Sequence, residues 1–147
     1  MDRRHFLAAA AAAPVVLAGC AAPLGFNPLP GGVNALVSGA QKYTGLSADQ
    51  TSASLGAMFG LAKNALSPAD FAKLGTTVPG IGDLVTRGAS VGGFSPASLT
   101  SMKSVTDALG KLNVNPTQLS QLGGYVTGAL GGGGASGAAD MLSKVWR

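Results

Sequence analysis

Cys20 is the only cysteine in a chain of 147 residues, and its sulfur is the most nucleophilic atom the sequence offers. Ser90 is the second residue of interest. It stands at the centre of Gly88-Ala89-Ser90-Val91-Gly92, the G-x-S-x-G spacing with which a sharp strand-to-helix turn presents a serine to a histidine base. Asp49, Asp70, Asp83, Asp107 and Asp140 are the third resource, since paired carboxylates can act as acid and base. The sequence withholds the partners these groups need. Its single histidine, His5, lies ahead of Cys20, and it has no glutamate. No strand pattern precedes Gly88, and no Ser-x-x-Lys pair occurs. The glycines from Gly131 to Gly134 have neither a preceding strand nor a close lysine with which to hold a phosphate. Scattered aspartates without His, Glu or a free Cys make a poor metal set. An enzyme is therefore not the expectation, and no cofactor or metal is expected. The alternative is a small lipid-handling or hydrolytic enzyme that uses Ser90 or the aspartates.

The surroundings of Cys20 give its thiol different work. Asp2-Arg3-Arg4-His5 is a short basic head, and Phe6 to Gly19 is an uncharged, mostly apolar run. A bilayer-spanning helix needs about 20 apolar residues; this run is shorter and is broken by Pro14. A basic head, a short apolar middle and small residues at the end describe a secretory signal peptide over residues 1–19. Leu17-Ala18-Gly19-Cys20 resembles the lipobox of bacterial lipoproteins, which implies that the thiol is acylated and that cleavage leaves Cys20 first. Arg3, Arg4, Phe6 and Leu7 resemble the twin-arginine export signal. Asp2 and Ala8 depart from that signal's usual residues, and general secretory export is the other reading. Ala21 follows the cysteine where an aspartate is the usual inner-membrane retention signal. The expected location is thus the cell envelope, as an outer-membrane lipoprotein facing the periplasm, with the membrane as first partner through lipid on Cys20.

The rest of the chain must carry whatever the anchor holds in place. Residues 20–32 are uncharged and contain Pro23, Pro28 and Pro30, which reads as a flexible tether; about ten residues at ~3.3 Å each reach roughly 30 Å. A helical domain is expected over 33–130, a glycine hinge over 131–135 and a C-terminal helix over 136–147. Helix starts recur as an apolar residue, a capping Ser or Asn, then proline: Leu66-Ser67-Pro68, Phe94-Ser95-Pro96 and Val114-Asn115-Pro116. The cap accepts from free first-turn N–H groups, and proline at the first helical position loses no bond. Leu46-Ser47 with Gln50 is a fourth start, spaced for a capping box. Apolar residues at helical spacing agree: Val33, Leu36, Val37 and Ala40; Leu55, Met58, Phe59 and Ala62; Leu99, Met102, Val105 and Leu109; Leu119, Leu122, Val126 and Leu130; Met141, Leu142 and Val145. Smaller helices are expected over 68–75 and 80–87. The fold expected is all-α, a Gly/Ala-rich bundle of about five to seven short helices.

Charge supports this scheme and excludes one class of partner. Asp70 with Lys73, Asp83 with Arg87, Asp107 with Lys111 and Asp140 with Lys144 have the spacing of exposed helical pairs. The net charge of +4 is spread along the chain rather than clustered, so nucleic acid is not an expected partner. Gly56-x-x-x-Gly60 and Gly124-x-x-x-Gly128 permit close helix approach within the bundle. Tyr43, Phe59, Phe71, Phe94, Tyr125 and Trp146 read as core or interface anchors.

The segment Gly45 to Val85 resembles the VcgC/VcgE-type bacterial family of unknown function. The resemblance is carried by Leu46-Ser47, Gly60-Leu61-Ala62-Lys63, Leu66-Ser67-Pro68 and Val78-Pro79-Gly80. It implies a helical secreted or envelope module and supplies no catalytic residues. The combined expectation is a lipid-anchored, non-catalytic interaction or structural module, whose further partner is another envelope protein or an apolar ligand held between helices.

Overall fold

The computed structural model describes residues 31–146. Among these residues the chain forms seven α-helices and no strand: α1 (Gly32–Thr44), α2 (Ala48–Ala65), α3 (Pro68–Thr77), α4 (Ile81–Gly92), α5 (Met102–Gly110), α6 (Pro116–Gly132) and α7 (Ser136–Val145). A single 3-10 turn, Pro96–Ser98, lies between α4 and α5. No helix among the described residues is long and apolar enough to cross a membrane. The signal peptide read over residues 1–19 and the tether read over 20–32 lie outside the described residues except for Gly31 and Gly32, which cap and begin α1 rather than extend the tether.

The fold is built around α2. Every residue from Thr51 to Ala62 is buried, because α1, α3, α4, α5, α7 and the 3-10 turn all pack on this one helix. Its sequence explains how so many neighbours fit. Leu55, Met58, Phe59 and Leu61 fill volume, while Ser52, Ala53, Gly56, Ala57 and Gly60 let backbones approach. The closest approach is to α4. A Cβ placed on Gly56 would lie 2.7 Å from the Cα of Gly88, and one placed on Gly88 would lie 2.6 Å from the Ser52 carbonyl oxygen. Helices α6 and α7 pack on each other, and α6 also packs on α1, so the second half of the chain closes over the first.

Helix starts form as their residues dictate. Ser47 with Gln50 and Asn115 with Gln118 make reciprocal capping boxes, and the Ser67 hydroxyl accepts from the Asp70 N–H. The Ser95-Pro96 start differs. It yields only the 3-10 turn, and Ser95 makes no side-chain cap. The Asn64 side-chain amide donates to the carbonyls of Pro96 and Leu99 at 2.7 and 2.8 Å, while Leu99 is buried beside Gly60. These tertiary contacts hold Leu99 extended after the 3-10 turn, and α5 begins on a second cap, the Ser101–Ser104 capping box. Leu99 therefore precedes the helix that its spacing had assigned it to.

Other boundaries follow from backbone closure. Gly131 and Gly132 belong to α6, and the helix ends through Gly134 at φ 86°. The Gly134 N–H donates to the Gly131 carbonyl and the Ala135 N–H to the Leu130 carbonyl. That is the paired bonding of a Schellman terminus, and it seats the fully buried Ala135. Asn113, at φ 59°, ends α5 in the same way, with the Val114 N–H reaching the Leu109 carbonyl at 3.4 Å.

The exposed charges pair differently from their spacing. Asp70 and Lys73 meet at 3.6 Å, but Asp107 bonds Lys103 at 2.9 Å rather than Lys111. Lys111 sits at the C-terminal cap of α5, past the last helical turn. The hydrogen bond and charge of Asp107 hold the Lys103 ammonium above its ordinary pKa. Asp83 with Arg87 and Asp140 with Lys144 form no ion pair. Gly56 and Gly60 take close contacts, whereas Gly124 and Gly128 face open space; Gly123 packs near Met58 and Trp146 instead.

Candidate functional site

Among the described residues, those singled out for chemistry are spread over five helices. Cys20, the lipobox residues Leu17, Ala18 and Gly19, and the export residues Arg3, Arg4, Phe6 and Leu7 lie outside the described residues. Ser90 is exposed in the last turn of α4. A nucleophile elbow requires a strand-to-helix turn, and here the whole of Gly88–Gly92 is helical. Its two glycines have a packing explanation. Gly88 admits the backbone of α2, and a Cβ on Gly92 would lie 2.5 Å from the Phe94 ring. The aspartates sit on five different helices, α2, α3, α4, α5 and α7. Among the described residues no group of three His, Cys, Asp or Glu side chains is arranged to hold a metal.

A concavity lies between α1 and α4, over the start of α2. It is an open groove of about 760 Å³. Val33, Val37 and Leu84 give it apolar walls, and Asn34, Ser38, Gln41, Ser52, Asp83 and Arg87 give it polar ones. The two helices begin side by side: the Val33 N–H donates to the Pro79 carbonyl at 3.2 Å. Each starts on a left-handed glycine, Gly31 at φ 78° and Gly80 at φ 90°, and neither glycine can supply a capping side chain. The positive ends of two helix dipoles therefore share one groove. Arg87 adds a cation and Asp83 an anion to the same walls.

A second concavity, about 390 Å³, lies near the α6–α7 contact and is lined by Met58, Met102, Leu119, Thr127, Ser143 and Trp146. The Trp146 indole N–H donates to the Met58 carbonyl at 3.0 Å, and its ring meets Phe59 edge-on at 5.7 Å. Its polar tip is thus already used within the fold. On the outer side of α1, Tyr43 is 64% exposed and lies 5.6 Å from Tyr125, whose hydroxyl occupies the space over Gly39. Of the aromatic anchors read from the sequence, Tyr43 is the one left largely outside the core.

The α1–α4 groove was not read from the sequence. Its signal was the departure of two helix starts from the Ser/Asn grammar of the others, Gly31-Gly32 and Pro79-Gly80. The meeting of those starts is a product of packing on α2 and has no local signature.

The family model described as protein of unknown function VcgC/VcgE matches residues 21–145. Neither the curated proteins nor the solved structures give a match.

Proposed function

We propose, from the premise that this chain belongs to the VcgC/VcgE family of unknown function, that it is a lipid-anchored cell-envelope protein whose bundle serves as a non-catalytic interaction module. The observation that carries the reading is a junction. The lipobox-like Leu17-Ala18-Gly19-Cys20 ends where the family match begins, at residue 21. Cleavage before Cys20 would release the family-matched region whole, with its nucleophilic sulfur at the new terminus. The placement of Ser90 within a helix, rather than on a strand-to-helix turn, supports a binding role over a hydrolytic one, and the groove between α1 and α4 supplies a surface to bind with. Ala21 after the cysteine favours the outer membrane.

Mass spectrometry of the native protein tests the anchor. The expected result is a mature chain beginning at Cys20 with two or three acyl chains. Each buried methylene contributes about 0.8 kcal/mol to membrane attachment, and a single chain holds only marginally. Cys20→Ser should abolish the modification and release the protein from outer-membrane fractions. An unmodified Cys20 in the mature wild type sinks the reading, and crosslinking in cells that recovers no reproducible partner counts against the interaction role.

A further inference from the structure

The geometry points to the α1–α4 groove as a binding site for a small oxyanion, a phosphate or a phosphate-bearing headgroup. The inference goes beyond the anchoring role and stands whether or not Cys20 is acylated. Its basis is three independent features of one groove. First, α1 and α4 are 13 and 12 residues long, enough to develop a terminal dipole, and both open onto the groove with no side-chain cap. Val33's N–H is taken by Pro79 and Ile81's by Val78; among the described residues the Asn34, Gly82 and Asp83 N–H groups have no acceptor, the arrangement that anions favour at helix starts.

Second, Ser52 lines the groove from α2 although it is only 4% exposed. A serine or threonine buried in a helix usually gives its proton to a carbonyl one turn back, as Thr51 does to Ser47 at 2.8 Å. The Ser52 hydroxyl makes no such bond among the described residues, and unlike the sealed Ser54 hydroxyl it is not closed off from the groove. It is a nearly buried donor on the wall of the space the anion would fill. Third, Arg87 lines the same wall without an ion pair among the described residues, even though Asp83 is one turn away. A guanidinium matches the fork of a phosphate better than a lysine would.

Asp83 works against an anion and makes the proposal easy to test. Titration of the full-length protein with inorganic phosphate, at constant ionic strength and followed by backbone amide shifts, should give saturable changes at Gly32, Asn34, Gly82 and Asp83. Arg87→Gln should weaken binding about tenfold or more, through loss of charged hydrogen bonds. Ser52→Ala should weaken it about threefold. Asp83→Asn should tighten it about fivefold, the effect of removing one repelling charge in a solvated site. Glycerol phosphate, the headgroup fragment of an anionic phospholipid, distinguishes the source. Tighter binding than inorganic phosphate assigns the groove to a lipid headgroup, and equal binding assigns it to free phosphate. Absence of saturable shifts with both ligands overturns the proposal. Weaker binding in Asp83→Asn also overturns it, because that is the behaviour of a cation site. Arg87 and Asp83 are exposed, so these two variants read binding rather than folding, and unchanged circular dichroism checks it.

Discussion

Adding one methyl group at Gly88 would place a carbon 2.6 Å from the Ser52 carbonyl oxygen and 2.7 Å from the Gly56 Cα. Both obstacles are backbone, so no side-chain rotation relieves them and the helices must separate. Gly88→Ala should destabilise the protein by about 1–3 kcal/mol, as overpacking of a close core contact does. The same substitution at Gly124 or Gly128 meets nothing within 4 Å. There alanine should stabilise by about 0.5–1 kcal/mol, because it restricts the unfolded chain and suits a helix interior. Urea denaturation of the two variants separates a packing glycine from an idle one. Opposite signs are expected, and equal effects would contradict the crossing described. The sequence presented both pairs with the same four-residue spacing, and spacing alone does not say which face of a helix is covered.

At the scale of elements, local chemistry accounts for most starts and stops, and tertiary contacts account for the exceptions. Ser47, Ser67 and Asn115 each cap a helix as their context indicates. Ser95 has the same neighbours and caps nothing, because Asn64, 31 positions earlier in the chain, takes the carbonyls of Pro96 and Leu99. Ser95→Ala should therefore leave stability nearly unchanged. Ser101→Ala should cost about 1 kcal/mol, the usual loss of a serine N-cap. Thermal melts of the pair give the comparison, and a larger loss at Ser95 would mean that the nascent α5 start lies at the proline after all. The aspartate pairs show the same limit of local reading. Asp107 could reach a lysine in either direction along its helix, and the fraying end of α5 favours Lys103 over Lys111. The exposed pair adds little to stability. That little is present at neutral pH and is lost as pH rises through the raised Lys103 pKa. The groove was least legible of all, since it joins residues from three helices that only the assembled bundle brings together.

At the scale of the molecule, α7 closes the bundle through its last contact. Trp146 donates to the carbonyl of Met58 and leans edge-on against Phe59, so the end of the described chain is tied to its centre. Trp146→Phe should keep the ring contact and lose the hydrogen bond, at about 1 kcal/mol. Trp146→Ala should cost about 3 kcal/mol, within the range for removing a large aromatic from a packed site. Far-ultraviolet circular dichroism during denaturation provides the reading, and equal losses in the two variants would remove the ring from the account of stability.

The enclosure of α2 has a consequence for how its backbone amides meet solvent. A helix on the rim of a bundle can fray and reclose by itself, and its amide protons are then replaced through small local openings. Residues Thr51 to Ala62 have packed neighbours on every side, so no partial opening uncovers them without dismantling most of the molecule. In deuterated water their protons should be the last retained, and their exchange should report the free energy of global unfolding. Amides in the outer turns of α1 and α6 should exchange earlier, leaving one central helix as the slow-exchanging memory of the folded state.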